Sequence, residues 1–200
     1  NPFVFHFRWD DPQVRVLVGG EKFGYSRPTS QPDELAAARK DRDGKTLVEP
    51  VSVATDAQGN VYIADVGQDA VVVVTSPEGR NGRCDFIKRI GVPRPQRVEV
   101  NRKTGAIYVL SGEKEIELLK LSGLADPKVV ARLAVSKNER GFPPTRRPIM
   151  ALDDNVDPAI IWIGQPFWRV EDKGDSFGNP IDLRAPERIG PPATASIMEM

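Results

Sequence analysis

An all-β fold assembled from repeated four-stranded antiparallel units is predicted by three features of this chain of 200 residues. The first is a segment running from Pro50 to Asp65, PVSVATDAQGNVYIAD, that returns in weaker form from Pro95 (PQRVEVNRKTGAIYVLSG) and from Pro148 (PIMALDDNVDPAIIWIGQ). The second is the spacing of these copies, 45 and then 53 residues from proline to proline, or 46 and 54 when Tyr62, Tyr108 and Trp162 are aligned. The third is turn chemistry: Gly and Pro number 17 and 18, as suits many short strands joined by tight turns. A period in this range, with several strands in each copy, is the signature of a β-propeller.

Each copy resolves into strands. In the first, Val51 to Thr55 alternates, Asp56-Ala-Gln-Gly-Asn60 turns the chain, and Val61 to Ala64 returns. Gly59 supplies the positive φ such a turn demands. Asp65 to Asp69 forms the next turn, Ala70 to Thr75 the third strand, and Asp85 to Ile90 the fourth. The second copy repeats the pattern with Arg97 to Val100, Ala106 to Leu110, Glu115 to Leu121 and Lys128 to Val135. The third offers Ile149 to Leu152, Ala159 to Ile163 and Phe167 to Val170.

The resulting organisation places the outer strands of a partial blade in residues 1–20 and an inter-blade connection in 21–49. Blades follow in 50–94, 95–147 and 148–183, with a linker or the start of another blade in 184–200. Ser30 to Lys40 within the connection reads as a short rim helix, with Ser30 as N-cap and Pro32, Asp33 and Glu34 in its first turn. About three and a half blades do not close a ring of the usual four to eight. Open ends would leave apolar faces in water. The expectation is a larger propeller of which this chain is part. Completion by a second copy, or a four-blade ring using Ile181 to Ile197, are the alternatives.

Composition limits the function classes. An apolar share of 40% against 28% charged residues describes a globular chain. No apolar run approaches the roughly 18 residues that a bilayer-crossing helix needs. The chain starts NPFVFHFRWD, so either a leader has been removed or a longer protein precedes it, compatible with a secreted or periplasmic placement. Cys84 is the one cysteine, which excludes an internal disulfide, and is read as an incidental surface thiol. The formal charge of zero hides blocks: residues 48–79 carry five acids and no base, and 80–103 eight bases against two acids. Residues 153–182 return to seven acids and two bases. Such blocks describe solvated loop faces or a polar binding surface.

The pattern Pro50-x-x-Val-Ala-x-Asp-x-x-Gly-Asn-Val-Tyr-Ile-Ala-Asp65 resembles the NHL repeat, in the manner of bacterial NHL repeat-containing proteins. Val14 to Gly20 resembles the strand and glycine-rich exit of a preceding repeat. The match weakens along the chain; beside Trp162, Ala159-Ile160 replaces Gly-Asn and Gln165 stands where the aspartate belongs. The resemblance implies a propeller. It leaves function open among RNA-binding proteins, lyases, lactonase relatives and binding modules.

Histidines serve the lyases of this family as bases or metal ligands, and this chain has only His6. No catalytic set is therefore assigned and no cofactor is called for. The lactonase relatives place Glu, Asn and Asp around an axial divalent ion. Asp56, Asn101, Asp153, Asp154 and Asn155 have suitable oxygens, but as residues of first-to-second-strand turns they are read structurally, and no metal ligand is assigned. Asp56 and Asp65 are structural turn carboxylates, accepting N–H groups of adjoining turns. Arg94 and Arg97 before one innermost strand, and Arg146 and Arg147 before the next, with Lys45 placed similarly, are the candidate ligand-binding residues. Guanidinium groups gathered at a channel mouth suit carboxylates or phosphates. Trp162, Trp168 and Phe167 are read as inter-blade packing. The expected function is a binding or scaffold module for a protein or small anionic ligand. Nucleic acid is disfavoured because few aromatics interleave with the bases. The alternative is a propeller-type hydrolase or lyase with a divalent ion on the axis.

Overall fold

The computed structural model describes residues 4–8, 11–18, 47–75, 84–137, 148–164 and 167–184, and all of its extended structure is antiparallel. The expected helix at 30–40, Lys45, Arg146, Arg147 and the tail after Arg184 lie outside these residues. A hairpin of β1 (Val4–Arg8) and β2 (Asp11–Val18) comes first, with His6 in register with Arg15.

Three four-stranded meanders follow, each strand bonded to its sequence neighbour. The first holds β3 (Pro50–Thr55), β4 (Val61–Asp65), β5 (Ala70–Val74) and β6 (Phe86–Gly91). The second holds β7 (Pro95–Val100), β8 (Ile107–Gly112), β9 (Glu115–Leu121) and β10 (Val129–Lys137). The third holds β11 (Met150–Asp153), β12 (Ile160–Ile163), β13 (Trp168–Glu171) and a two-residue β14 (Ile181–Asp182). The helical element among the described residues is one 3-10 turn, Val66–Gln68.

Strand pairing fixes which positions correspond. Ala54, Tyr62, Val73 and Lys88 are cross-strand partners in the first sheet; Glu99, Tyr108, Lys120 and Ala131 in the second; Ala151, Trp162, Arg169 and Ile181 in the third. Because side chains alternate along a strand, each row lies on one face of its sheet. In the first sheet that face carries Tyr62, Ala64, Val71, Val73 and Ile90, which pack against Val98, Val100, Ile107, Val109, Leu119 and Leu121 of the second. The opposite face of the second sheet, with Tyr108, Leu110, Ile116 and Leu118, packs against Met150, Ile161, Ile163 and Val170 of the third. The first two sheets thus turn their aromatic rows toward the sheet that follows, and the second and third turn their other faces toward the sheet before. Burying one such aliphatic side chain contributes about 1.5–3 kcal/mol, and these two layers hold most of the apolar core.

Polar ties reinforce the stacking. Val98 N–H donates to Ser52 Oγ between the first strands of the first two sheets. Lys88 Nζ reaches across to the carbonyls of Leu124 and Ala125, in the β9–β10 turn, at 2.9 and 2.8 Å. Lys120 Nζ reaches in the same sense from the second sheet to the β13–β14 turn of the third, at 2.8 and 2.7 Å from the two Asp172 oxygens and 2.5 Å from the Gly174 carbonyl.

Two expectations about side chains are corrected. Trp162 is 37% exposed and Phe167 48%, so neither fills a layer between sheets, whereas Trp168 does pack against the third sheet's buried face. Tyr62 and Tyr108, at 1% and 0%, do fill such layers because a following sheet covers them, and among the described residues nothing covers Trp162. Cys84, expected at the surface, is buried with Leu47, Val61, Ile63, Val72 and Val74 on the other face of the first sheet. Burial, and secondarily the charge of Asp85, pushes its thiol pKa up, so the reactive thiolate is disfavoured.

Candidate functional site

The first strands of the three sheets, β3, β7 and β11, meet through β7, and Arg97 on β7 ties them. Its Nε donates to the Pro148 carbonyl ahead of β11, and its Nη1 to the Val51 carbonyl of β3, both at 2.8 Å. One guanidinium so bridges three consecutive sheets. Arg94 behaves differently. It sits at φ 44°, its N–H donates to Asp69 Oδ1, and its carbonyl accepts from Gly112 N–H. Its Nη2 lies 3.4 Å from Glu113 Oε2, and among the described residues its buried Nε has no partner. The two described arginines of the expected cluster are therefore engaged within the fold.

Two places along the chain from Arg97, on the same face of β7, stands Glu99. Burial raises its pKa above the ordinary 4.5, opposed by the charges of Arg102 and Arg97 and assisted by that of Asp154.

The turn carboxylates have dense partner sets. Asp65 is fully buried at the end of β4. Its Oδ2 accepts from Val48 N–H at 2.7 Å and Gln68 Nε2 at 3.2 Å; its Oδ1 accepts from Glu49 N–H at 2.8 Å and Gln68 N–H at 3.1 Å. It caps the 3-10 turn and also anchors the segment leading into β3, which an Asx-turn alone does not require. Burial raises its pKa despite those bonds.

Asp56 accepts from Gln58 N–H, Asn60 N–H, Asn60 Nδ2 and the Tyr62 hydroxyl. The phenol's pKa is raised, first by burial and then by the Asp56 charge. Asn101 Oδ1 holds Lys103 and Thr104 N–H in the equivalent turn, and Asp153 Oδ1 holds Asn155 N–H in the third. Asp154 Oδ2 accepts from Arg102 N–H, joining the second and third of these turns. Among the described residues, no group of three or more His, Cys, Asp and Glu side chains is arranged to hold a metal ion. No helix among them is long and apolar enough to cross a membrane.

At the end of the sheets where these turns gather, a groove of about 690 Å³ opens between the first two sheets. One wall is the Asp56–Asn60 turn with Tyr62, the other the Asn101–Gly105 turn, and the β9–β10 turn from Ser122 to Lys128 forms the floor. Asp126 and Lys128 pair with each other at 2.6 Å on its rim. Arg102 and Lys103 are exposed on the second wall, and among the described residues neither side chain makes a hydrogen bond or ion pair.

Sequence reasoning did not single out Arg102 and Lys103, although they close the basic block of residues 80–103. The arginines expected from strand starts stand toward the opposite end of β7. Lys120 and Asp172 were also missed, because a pair 52 residues apart leaves no local signal. No protein-family model matches this chain, and no curated protein is detectably similar to it.

Proposed function

We propose that this chain is an NHL-like β-propeller segment acting as a binding or scaffold module, and that its ligand is an extended protein segment bearing carboxylates. The observation that carries this reading is the groove between the first two sheets, with Arg102 and Lys103 on one wall. An extended peptide fits between two rows of turns, whose outward polar groups match its backbone. These two cations make no side-chain hydrogen bond or ion pair among the described residues, although the Arg102 charge also acts on Glu99, so charge-assisted bonds to a ligand carboxylate break no existing bond there. The engagement of Asp56, Asn101 and Asp153 by turn N–H groups favours a binding role over a metal-dependent hydrolase or lyase.

The test uses a fluorescein-labelled peptide of alternating Glu and Gly, followed by anisotropy from low to physiological salt. Binding weakens with salt and falls by about tenfold or more in R102E/K103E, the equivalent of at least ~1.4 kcal/mol. Equal binding by wild type and variant, or a preference for a single-stranded oligonucleotide of the same charge, overturns the proposal.

A further inference from the structure

We propose that β10, the outer strand of the second sheet, takes up an acidic segment of a partner protein by strand addition, and that this segment alternates carboxylate and apolar side chains. This docking mode presupposes that the groove between the first two sheets takes a peptide, and it names the main chain that holds it.

β10 runs nine residues, Val129–Lys137, and is the longest of the described strands. It is bonded to β9 on one side, and among the described residues no strand pairs with its other edge. Register shifts between Val129 and Ala131 and between Ala134 and Ser136 bound a regular ladder over Ala131–Ala134. The N–H and C=O groups on the open side of such a ladder form a template for another chain. The outer strand of the third sheet, with two residues, offers far less.

Two hollows flank this edge and share a residue. The groove between the first two sheets has Lys128 and Val130 in its lining, together with Arg102 and Lys103. On the side of the third sheet, a hollow of about 410 Å³ lies between Val129–Arg132 and the Asp175–Phe177 stretch of the β13–β14 turn, and Val130 borders it too. Side chains of a strand added here alternate between the two sides. Those on the groove side meet Arg102 and Lys103, which match carboxylates. Those on the other side meet Val129, Ala131 and Phe177, which match apolar groups. Val129 and Val130, now 41% and 39% exposed, become covered.

Charge selects the occupant. From Lys128 to Lys137 the chain reads KVVARLAVSK, with three bases and no acid. Lys128 and Arg132 pair with Asp126 and Glu117, but both pairs are exposed and contribute little. A second copy of β10 brings the same three bases and is repelled, whereas an acidic segment neutralises them. Basic residues on an open edge discourage self-pairing and leave the edge to a partner of opposite charge.

The test adds a fluorescein-labelled peptide of alternating Glu and Val to the full chain. Amide hydrogen exchange read by mass spectrometry at residue level locates it: at saturating peptide the amides of Ala131–Ala134 slow by about tenfold or more. Anisotropy then compares two peptides, one N-methylated on the glutamates and one on the valines. Their affinities differ by about tenfold or more, because one set of N–H groups faces β10 and the other faces away. The Glu and Val peptide also binds more tightly than its Glu and Gly counterpart, which leaves the second hollow unfilled.

Protection confined to the Asn101–Gly105 turn, equal affinities of the two N-methylated peptides, or equal affinities of the valine and glycine peptides each overturn strand addition. If R102E/K103E still weakens binding in those cases, the groove reading stands without it. Absence of binding by the wild-type chain overturns both. Protection of β10 in the free protein that grows with protein concentration also overturns the proposal, since a second copy then occupies the edge.

Discussion

Replacing Arg97 by Met removes the guanidinium that joins β7 to β3 and to the segment ahead of β11 while keeping most of the aliphatic stem. The Val51 and Pro148 carbonyls, each now accepting at 2.8 Å, are left without this donor in a partly buried setting. A hydrogen bond to a charged group contributes about 1.5–3 kcal/mol net. Partial solvent access lets water take over some of that role, so the expected loss lies at the lower end for both bonds, about 2–4 kcal/mol together. For a chain of this size that corresponds to a fall in Tm of roughly 5–15 °C. Urea denaturation followed by far-UV circular dichroism gives the free energy, and R97K, which restores a cation without the planar fork, recovers only part of it. A change in R97M below about 0.5 kcal/mol, the size of an ordinary surface substitution, would refute the bridging role. The refutation gains force if the variant also loses anion binding, since Arg97 would then belong to a ligand site.

Two further substitutions probe other parts of the fold. Asp65→Ala strands the N–H groups of Val48, Glu49 and Gln68 at a buried site, and an unfolding free energy lower by about 3–5 kcal/mol is expected; Asp65→Asn, which keeps one acceptor oxygen, loses about half as much. Equal stability of D65A and wild type in urea denaturation would contradict the anchoring role. Glu99 has its folded pKa raised above 4.5, so the folded state binds its proton more tightly than the unfolded one. Its stabilising contribution is therefore complete below the unfolded value and is lost as pH rises through the folded value. Urea midpoints measured from acid to neutral pH should fall in wild type relative to E99Q from about 4.5 upward, and a relative rise would reverse the assignment.

The architecture was legible because a strand's alternation and its turn residues are local. The Asx turns at Asp56, Asn101 and Asp153 recur at one place in three copies, and the sheets follow from them. The short β14 was not legible as a strand: Ile181 and Asp182 have a pairing partner but no alternating run. What a side chain meets across a sheet interface was also hidden. Alignment puts Trp162 in register with Tyr62 and Tyr108, but exposure depends on whether another sheet lies against it. The arginines at strand starts illustrate the same limit. Their position suggested a channel mouth, but the positive-φ turn at Arg94 and the carbonyls around Arg97 arise only when the sheets stack.

The central claim is that successive sheets stack face to face through equivalent rows, and the contact most diagnostic of it joins Lys120 to Asp172. The two side chains are 10% and 11% exposed, and they lie on different sheets. A double-mutant cycle with K120M, D172N and the double variant, read by urea denaturation, measures their coupling directly. The account predicts that each single change costs about 3–5 kcal/mol, since each leaves a buried charge without its partner, and that the double change costs much less than their sum. Single effects that add to within about 0.5 kcal/mol would mean the second and third sheets do not meet there.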